Sequence, residues 1–550
     1  MRFSILFLIT FTGLSAFSGS AQAQAVNLEY QVERQDSSAL RITVSFDGAS
    51  TGKTQLHLPD NYSGQPQLYK AFSQVNSLSD QTTVEKTEKP DTYLITYTPG
   101  TKVAVSYILS QGWQGPLKYP YFYRPIIQKN LFYFEGYAGL AYPDVANPDH
   151  IICKFSYKGF EADAFIGNSL FANKSSWEGT ISLDDLMNSI FCAGNFRHKT
   201  ISLGKQKLTI AVTGQYGFSD DMLFSSVTKI ITDERKFWND QGSPFYFTLL
   251  MPTDDKDHYG GTAYTNSFSI FQSPDVTLTG GTLQTISHEY FHTWLGRSLK
   301  MPAPQESFKW FSEGFTDYYS LKILFAAGII TKADYEKQLN LKVRIYYLSA
   351  KFNTGSDEIV GKYWKSDDWR LLSYGRGLAI ALMLDTKIIG NKTGSLDDLM
   401  RLLYQKSKPG LQFSKKLFDS VVVQFADKDA LLAVNKANEG INDLLTSELL
   451  KNKIFPMSMK TVSKSYDVGF DISQSKKSGK ITGLMAGSSA AMAGVKENMK
   501  FLSFSYKSGS PEPATVVIVD EAGVKRAVSY TPLSTGSTNI PQITESSLNN

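Results

Sequence analysis

The chain has 550 residues, which is too many for one hydrophobic core, so we expect roughly three or four domains. Hydrophobic residues make up 42% and aromatic residues 13% of the sequence, an ordinary globular composition with ample material for strands. The 56 basic and 52 acidic side chains leave a net charge of +4. With charges so nearly balanced and no long basic run, the composition excludes a strongly basic nucleic-acid-binding protein.

The N-terminus has the layout of a secretory signal peptide. Arg2 precedes an apolar run over residues 3–17, and small residues at 21–25 offer cleavage near Ala23 or Ala25. The alternative is a membrane anchor, but the run is short for a span of roughly 20 residues. We therefore expect residues 1–23 to be a signal peptide and the protein to be exported, to the periplasm or beyond. No later segment predicts a membrane span in the mature chain.

Two cysteines occur, Cys153 and Cys192. In an oxidising compartment they could form one disulfide or remain two buried thiols, and the sequence does not decide between these. No Cys-x-x-Cys pair is present, so neither is expected to bind zinc.

The first part of the mature chain, residues 26–213, is strand-like. Between residues 40 and 46 apolar side chains alternate with polar ones, which is typical of a half-buried strand. Similar runs at 92–98, 102–109 and 207–214 predict an antiparallel β-sandwich-like domain. The aromatic run KYPYFYRP at 118–125 fits either interdomain or core packing or a carbohydrate platform.

Helices dominate the middle of the chain. A helix is predicted over 219–238 with Ser219 as its cap, followed by a buried strand at 244–252. Further helices are predicted at 283–296, 306–327, 331–349, 371–388, 395–407, 414–425 and 428–451. Strand and glycine signals return at 463–531, which indicates a small separate module. The polar tail over 536–550 is predicted to be disordered.

The stretch TISHEYFHTW holds two of the six histidines, His288 and His292, four residues apart with Glu289 between them. On a helix, residues four apart point the same way, about 6 Å apart along the axis. Two imidazoles so placed can converge on one ion, and Glu289 lies near the same face. This His-Glu-x-x-His pattern is a recognised zinc-protease signature. Packing of two histidines without a metal is the alternative.

A hydrolytic zinc site needs three protein ligands and an open position. Glu313, in KWFSEGFTDYYS, follows His292 by 21 positions, which suits a loop and a returning antiparallel helix. Asp317 lies one turn further and is placed to orient a ligating imidazole as a supporting carboxylate. The sequence therefore predicts one Zn²⁺ ion held by His288, His292 and Glu313.

These motifs, HEYFHTW and WFSEGFTDYY with the later SYGRGLAIALMLD at 373–385, resemble the glycyl aminopeptidase family of gluzincin metallopeptidases. The resemblance implies a multidomain α+β protein. Its expected parts are an N-terminal β domain at 26–213, a thermolysin-like catalytic domain at 214–345, a helical domain at 346–455 and a PDZ-like domain at 460–535.

The same resemblance implies the role of each site residue. His288, His292 and Glu313 are the expected zinc ligands, and Glu289 is the expected general base, taking a proton from water and passing it to the leaving amine. Tyr374, in SYGRG, is implied as the phenol that stabilises the oxyanion of the tetrahedral intermediate.

One motif departs from the family pattern. The family carries a glutamate on the strand before the metal helix, and this glutamate binds the free α-amino group of the substrate. Here the strand reads YGGTAYTN, so Gly260 and Gly261 are kept while Ala263 replaces the carboxylate. The edge-strand backbone can still pair with a peptide. The acidic residues at 254, 255 and 257 are either substitute anchors or ordinary loop residues.

The C-terminal module resembles protease-associated PDZ domains. Val468, Gly469 and Phe470, in DVGFDIS, resemble the loop that holds a peptide carboxylate, and the stretch at 481–504 resembles the helix of such domains. Asn498-Met499 departs from the pattern, since such domains usually continue with Gly-Asp there, but Asn tolerates the left-handed backbone of that turn. A ligand there would bind by adding a strand to the sheet. The alternative is a packing module without a ligand.

The leading hypothesis is an exported zinc metallopeptidase that acts on peptides, with an aminopeptidase selective for N-terminal Gly or Ala favoured. Because Ala263 cannot bind an ammonium group, an endopeptidase or a peptidase of altered specificity is the first alternative. A non-catalytic binding protein that uses its PDZ-like and β domains around a structural zinc is the second.

Overall fold

The computed structural model describes residues 26–543, except 162, 173, 257–258, 279, 408–411, 442, 453–455, 464–465, 507–512 and 535. The predicted signal peptide, with its cleavage positions at Ala23 or Ala25, lies outside the described residues. The chain divides into two compact units, one formed by residues 1–115 with 120–195 and the other by 116–119 with 196–550. Each unit is described by itself.

The first unit is rich in strands, as predicted, and has two short helices. Its elements are β1 Val26–Arg34, β2 Ala39–Asp47, β3 Lys53–His57, β4 Phe72–Ser77, β5 Thr82–Lys86, β6 Thr92–Tyr97, β7 Lys102–Ser110, β8 Ile126–Gln128, β9 Leu131–Glu135, α1 Gly136–Gly139, β10 Tyr142–Pro143, β11 Ile151–Lys158, β12 Phe165–Asn168, β13 Ser176–Ile181, α2 Leu183–Met187 and β14 Ile190–Gly194. They form three sheets, in the orders β13-β11-β1-β2-β7-β4, β10-β3-β6-β5 and β12-β14-β9-β8. Neighbouring strands are antiparallel except β1 and β11.

Alternation decides which face of β2 is buried. Leu40, Ile42 and Val44 are fully buried, and the residues between them are partly exposed, as the period-2 pattern predicts. Cys153 on β11 and Cys192 on β14 are separate buried thiols, which resolves the disulfide question left open by the sequence. Burial raises the pKa of both thiols, to about 12 for Cys153, so neither is reactive near neutral pH.

The second unit begins with a mixed five-stranded sheet of β15 Arg197–Leu203, β16 Gln206–Val212, β17 Phe245–Pro252, β18 Tyr259–Tyr264 and β19 Ser267–Gln272. The strand order is β15-β16-β17-β19-β18, so β18 is an edge strand. This sheet corrects the boundary predicted at residue 213. The hairpin of β15 and β16 belongs to the second unit because β16 pairs in parallel with β17. The boundary therefore lies between Asn195 and Phe196.

Helices make up most of the rest of the second unit. They are α3 Asp220–Trp238, α4 Gly280–Phe291, α5 Lys309–Ser312, α6 Gly314–Ala326, α7 Lys332–Tyr347, α8 Asp367–Asn391, α9 Leu396–Lys406, α10 Lys415–Phe425, α11 Lys428–Asn438 and α12 Asp443–Leu449. Ser219 caps α3 by accepting a bond from the Met222 amide, as predicted. The single helix predicted at 428–451 is two helices, because Gly440 has φ +84° between them. None of the helices in the described ranges is long and apolar enough to cross a membrane.

The C-terminal module, residues 466–534, has a small hydrophobic core of its own that includes Phe470. Its elements are β21 Tyr466–Asp467, α13 Ile472–Ser478, α14 Ser489–Met492, β22 Lys500–Ser505, β23 Ala514–Val519, β24 Lys525–Tyr530 and β25 Leu533–Ser534. They follow β20 Met457–Ser463 and precede β26 Ser537–Ile543. The identity of this module as a PDZ domain stays a prediction.

The predicted carboxylate loop of this module is already engaged. The Gly469 amide donates to Asp467 Oδ1 at 2.7 Å, and the Val468 carbonyl accepts from the Tyr530 hydroxyl. The segment after the loop is helix α13 rather than a strand, because Asp471 caps its start and Gly479 ends it at φ +67°. The sequence suggested that a peptide would bind beside this loop by adding a strand to the sheet. The segment that would offer the strand edge is helical, so a peptide cannot add there in that way.

The polar tail also differs from the prediction. Residues 537–543 form β26, which pairs antiparallel with β20, whereas 544–550 lie outside the described residues. Asn340 on α7 anchors the end of this strand. Its Oδ1 accepts from the Ile543 amide at 2.8 Å, and its Nδ2 donates to the Ile543 carbonyl at 3.3 Å. A long-range partner, absent from any local sequence pattern, thus orders this part of the tail.

We expect Asn340→Ala to loosen the C-terminal strand, because both bonds to Ile543 disappear. Loss of two partly buried hydrogen bonds should cost about 1–3 kcal/mol. Limited proteolysis followed by mass spectrometry should show faster trimming of residues beyond 536. Asn76→Ala is the control, since the Asn76 side-chain amide donates to the Gln74 carbonyl at an exposed position of strand β4. Equal trimming of the two variants would contradict the anchoring role.

Candidate active site

Helix α4 delivers the two histidines to one place. His288 lies in its last full turn, and the His292 amide continues the pattern by donating to the His288 carbonyl at 3.3 Å. The two Nε2 atoms are 3.0 Å apart, and the side chains are largely buried. The prediction that the i,i+4 spacing brings both imidazoles to one point is confirmed.

Glu313 completes the cluster from the junction of α5 and α6. Its Oε2 lies 3.3 Å from His288 Nε2 and 3.4 Å from His292 Nε2, so the three atoms form a nearly equilateral triangle. Tetrahedral zinc with bonds of about 2.0 Å separates its ligand atoms by about 3.3 Å. The triangle therefore fits a zinc ion, and within the described part of the chain these three groups form a cluster able to hold a metal ion.

The outer ring nitrogens show why these three atoms require a cation. His288 Nδ1 lies 2.9 Å from Asp317 Oδ1, and His292 Nδ1 lies 2.9 Å from the Leu295 carbonyl. Both partners accept hydrogen bonds, so each Nδ1 carries the proton and each Nε2 turns a lone pair inward. Two lone pairs and a carboxylate oxygen face one another, an arrangement that a metal ion stabilises. Asp317 thus takes the supporting place predicted for it.

The charges around the cluster favour a positive centre. Before a metal binds, burial lowers the pKa of His288, but hydrogen bonds to Asp317 and Glu313 outweigh it and raise the pKa to about 10, so a metal ion would displace the proton of Nε2 and use its lone pair. Burial would raise the pKa of Glu313, yet Lys309 and the two histidines hold it well below its usual range. The carboxylates are therefore ionised and attract a cation to the place between them.

Glu289 lies between the metal cluster and the edge strand β18. Its side chain is 7% exposed, and a Cβ built on Gly261 would lie 2.5 Å from Glu289 Cγ. Gly261 therefore leaves the space that Glu289 occupies. Burial raises the pKa of Glu289, while the two histidines oppose the shift. A raised pKa suits a group that both accepts and returns a proton.

Tyr374, on α8, lies against the same cluster. Its ring stacks on the His288 ring with centroids 5.7 Å apart and planes 15° from parallel. Burial, then the charge of Glu313, raises its pKa well above the usual value, so its hydroxyl stays protonated and can donate. The structure thus places Tyr374 against His288, and its role at the oxyanion stays a prediction.

Two glycines allow α8 to approach so closely. A Cβ on Gly377 would lie 1.7 Å from the Trp310 carbonyl oxygen, and one on Gly314 would lie 2.3 Å from Gly377 Cα. The helices therefore cross with backbone against backbone. Gly314 follows the ligand Glu313 directly, and Gly377 is three positions beyond Tyr374. Direct contact of these backbones fixes the distance between ligand and phenol.

The structure also locates the predicted substrate strand. Gly260, Gly261 and Ala263 all belong to β18, and alternation puts Ala263 on the face that Gly261 turns towards Glu289. The carboxylate that lies beside Gly261 on this face is that of Glu289. Asp254 and Asp255 accept bonds from the Leu117 and Tyr119 amides at 2.6 and 2.7 Å, so the loop interpretation of these two residues holds. Asp257 lies outside the described residues.

Sequence reasoning missed two lysines beside the cluster. Lys309 Nζ lies 2.7 Å from Glu313 Oε1, and Lys342 Nζ lies 2.7 Å from Asp317 Oδ2. The i,i+4 spacing of Lys309 and Glu313 was a signal for the first contact. No comparable signal exists for Lys342, which comes from α7.

Comparisons with known proteins give a family match over part of the chain and a shared fold. Residues 281–356 match the family model of the M61 glycyl aminopeptidases. An aminopeptidase N family protein from Idiomarina loihiensis has the same fold, with a TM-score of 0.66 and 14% identity, over 94% of this chain and 98% of that one. A mutant M1 zinc metallopeptidase from Deinococcus radiodurans, bound to a Tyr-Ser-Ala substrate, has a TM-score of 0.49 and 14% identity over 76% and 94%. No curated protein sequence is similar enough to count as a match.

A zinc-type ligand cluster that lies within the residues matched to the M61 family model indicates a zinc aminopeptidase-like enzyme. The family match covers the metal helix, the third ligand and its supporting carboxylate. The resemblance to this family that the motifs indicated is thus confirmed over the matched residues.

We expect Gly261→Ala to lower kcat/KM because the new Cβ would overlap Glu289 Cγ and Ile270 Cδ1, at 2.5 and 2.6 Å. A misplaced catalytic carboxylate should cost on the order of 100-fold in rate. Gly280→Ala on α4 is the matched control, since its Cβ would meet only Gln338 Nε2 at 3.6 Å. Steady-state hydrolysis by the two variants checks this, and equal loss would contradict it.

Proposed function

We propose that the protein is an exported zinc aminopeptidase that hydrolyses peptide bonds and prefers small N-terminal residues such as Gly or Ala. The observation that carries the peptidase activity is the buried triangle of His288, His292 and Glu313 with Glu289 beside it. The family match supports the N-terminal preference. Export rests on the signal-peptide pattern at residues 1–23 alone.

Each side chain has a defined task in such a reaction. A zinc ion held by His288, His292 and Glu313 would supply an acidified water and polarise the scissile carbonyl. Glu289 accepts the proton of the attacking water and returns it to the leaving amine. The Tyr374 hydroxyl donates to the oxygen on which negative charge develops. The raised pKa of Tyr374 keeps this hydroxyl protonated, so that it can donate.

The edge position of β18 provides a place for the peptide. Its inner neighbour is β19, and among the described residues no strand pairs with its other edge. A peptide in extended conformation can add to such an edge through main-chain hydrogen bonds. Gly261, with no side chain, allows the peptide backbone to approach Glu289. Main-chain pairing of this kind holds a substrate without regard to its side chains.

Cleavage at internal bonds is a second candidate, and Ala263 favours it. On the face of β18 that carries Gly261, the methyl group of Ala263 replaces the carboxylate that the family uses to bind a free amine. The two neighbouring aspartates within the described ranges are bonded to backbone amides. A substrate would then be held by its backbone rather than by its terminus.

A binding protein with a purely structural zinc explains fewer of the contacts. A structural zinc site is closed by four protein ligands, whereas three protein groups form this cluster. Such a site needs neither a buried carboxylate at Glu289 nor a phenol stacked on a ligand. Both groups are present, and burial raises the pKa of each.

Glu289→Gln should abolish hydrolysis while leaving zinc content and fold intact, because an amide cannot accept the proton of water. General-base catalysis is worth about 10²–10⁴ in rate, so a loss of that size is expected. Glu336→Gln on α7 is a matched control with similar burial, 5% against 7% exposed. Peptide hydrolysis and zinc content measure the result. Full activity in Glu289→Gln would exclude this mechanism.

Hydrolysis of one peptide with a free and with an acetylated N-terminus separates the two candidates. An aminopeptidase needs the charged amine, so acetylation should lower its kcat/KM by on the order of 10²-fold or more, as for any buried site left without its charged partner. Product identification by mass spectrometry shows which bond is cut. Equal rates on both peptides, with cuts inside the chain, would favour the second candidate.

A further inference from the structure

The two oxygens of Glu313 have different partners. Oε2 faces the two histidine Nε2 atoms at 3.3 and 3.4 Å, whereas Oε1 lies 2.7 Å from Lys309 Nζ. Lys309 lies one turn earlier, where its carbonyl accepts from the Glu313 amide at 2.8 Å. One oxygen is directed to the metal cluster and the other is directed away from it.

The surroundings of Lys309 hold it in this position. Its side chain is 25% exposed against 8% for that of Glu313, so water has little access to the contact. The ammonium lies 5.4 Å from the centre of the Tyr363 ring, close enough for a cation–π contact. A charge-assisted bond between partly buried groups is short and strong, and it resists exchange.

The division of oxygens matters because a carboxylate can bind a metal through one oxygen or through both. A catalytic zinc site keeps one position open for water, and a second carboxylate oxygen would compete for it. We propose that Lys309 is a positioning residue that keeps Glu313 a one-oxygen ligand and so preserves the open position. This inference rests on the proposed zinc site.

A purely structural salt bridge is the competing explanation. Lys309 and Glu313 are four residues apart on consecutive helices, a spacing that stabilises helices without any catalytic purpose. Lys322 on α6 offers a matched comparison, since its Nζ lies 3.0 Å from Asp385 and 2.7 Å from Asp397 with 27% exposure. Removal of either lysine breaks a partly buried ion pair, but only Lys309 touches a metal ligand.

The test compares full-length wild type with Lys309→Met, Lys309→Arg and Lys322→Met. Zinc affinity is measured by chelator competition, coordination by the visible absorption of the Co²⁺-substituted protein, and activity by kcat and KM. For Lys309→Met we expect full metal stoichiometry, weaker cobalt absorption from a higher coordination number, and a kcat lower by roughly 10–100-fold with little change in KM. Lys309→Arg should recover the spectrum, and Lys322→Met should keep the wild-type spectrum and kcat.

A wild-type cobalt spectrum in Lys309→Met would overturn the proposal, whether or not kcat falls. The same holds if Lys322→Met changes the spectrum equally, since the effect would then follow loss of an ion pair in general. Should the methionine variant not fold, Lys309→Gln provides the same comparison. Absence of zinc and of hydrolysis from the wild-type protein would instead refute the proposed function itself.

Discussion

Three lone-pair-bearing atoms held within 3.4 Å of one another are the constraint on which this site depends. Without a cation between them, two imidazole nitrogens and a carboxylate oxygen would repel one another in a buried place. The fold meets this constraint by bringing the end of α4, where the two imidazoles lie, against the α5–α6 junction, which carries the carboxylate, while Gly314 and Gly377 let α8 contact that junction directly. Asp317, the Leu295 carbonyl and Lys309 then fix the directions of His288, His292 and Glu313, respectively. Metal binding and helix packing are therefore linked.

The sequence predicts this site well because much of its chemistry is local. Helical spacing places His288, Glu289 and His292 on one face, and the separation to Glu313 equals one loop and a returning helix. Asp317 follows by the same turn rule. Lys342 could not be predicted, because α7 meets the site only through tertiary packing. Likewise, the replacement at Ala263 was visible in the sequence, whereas the amide bonds of the neighbouring aspartates were not.

The fold was predicted where patterns are local and missed where partners are distant. Alternation identified the strand at 207–214, but a period-2 pattern does not tell which sheet a strand joins. The predicted domain boundary was therefore placed after β16, although β16 pairs with β17 of the second unit. The tail at 537–543 is polar and has no local strand signal, yet pairing with β20 orders it. In the C-terminal module, the resemblance to PDZ domains suggested a strand edge after the predicted carboxylate loop. Asp471 and Gly479 cap a helix at that position instead.

The pairing of β20 with β26 has a topological consequence for the C-terminal module. The chain enters and leaves the module through the same two-stranded ribbon, so the module is a closed loop with one base. A single peptide-bond cleavage inside the loop leaves both ends hydrogen-bonded at that base. Detachment requires a second event, the unzipping of the ribbon, and the two ends of the module stay adjacent until it happens.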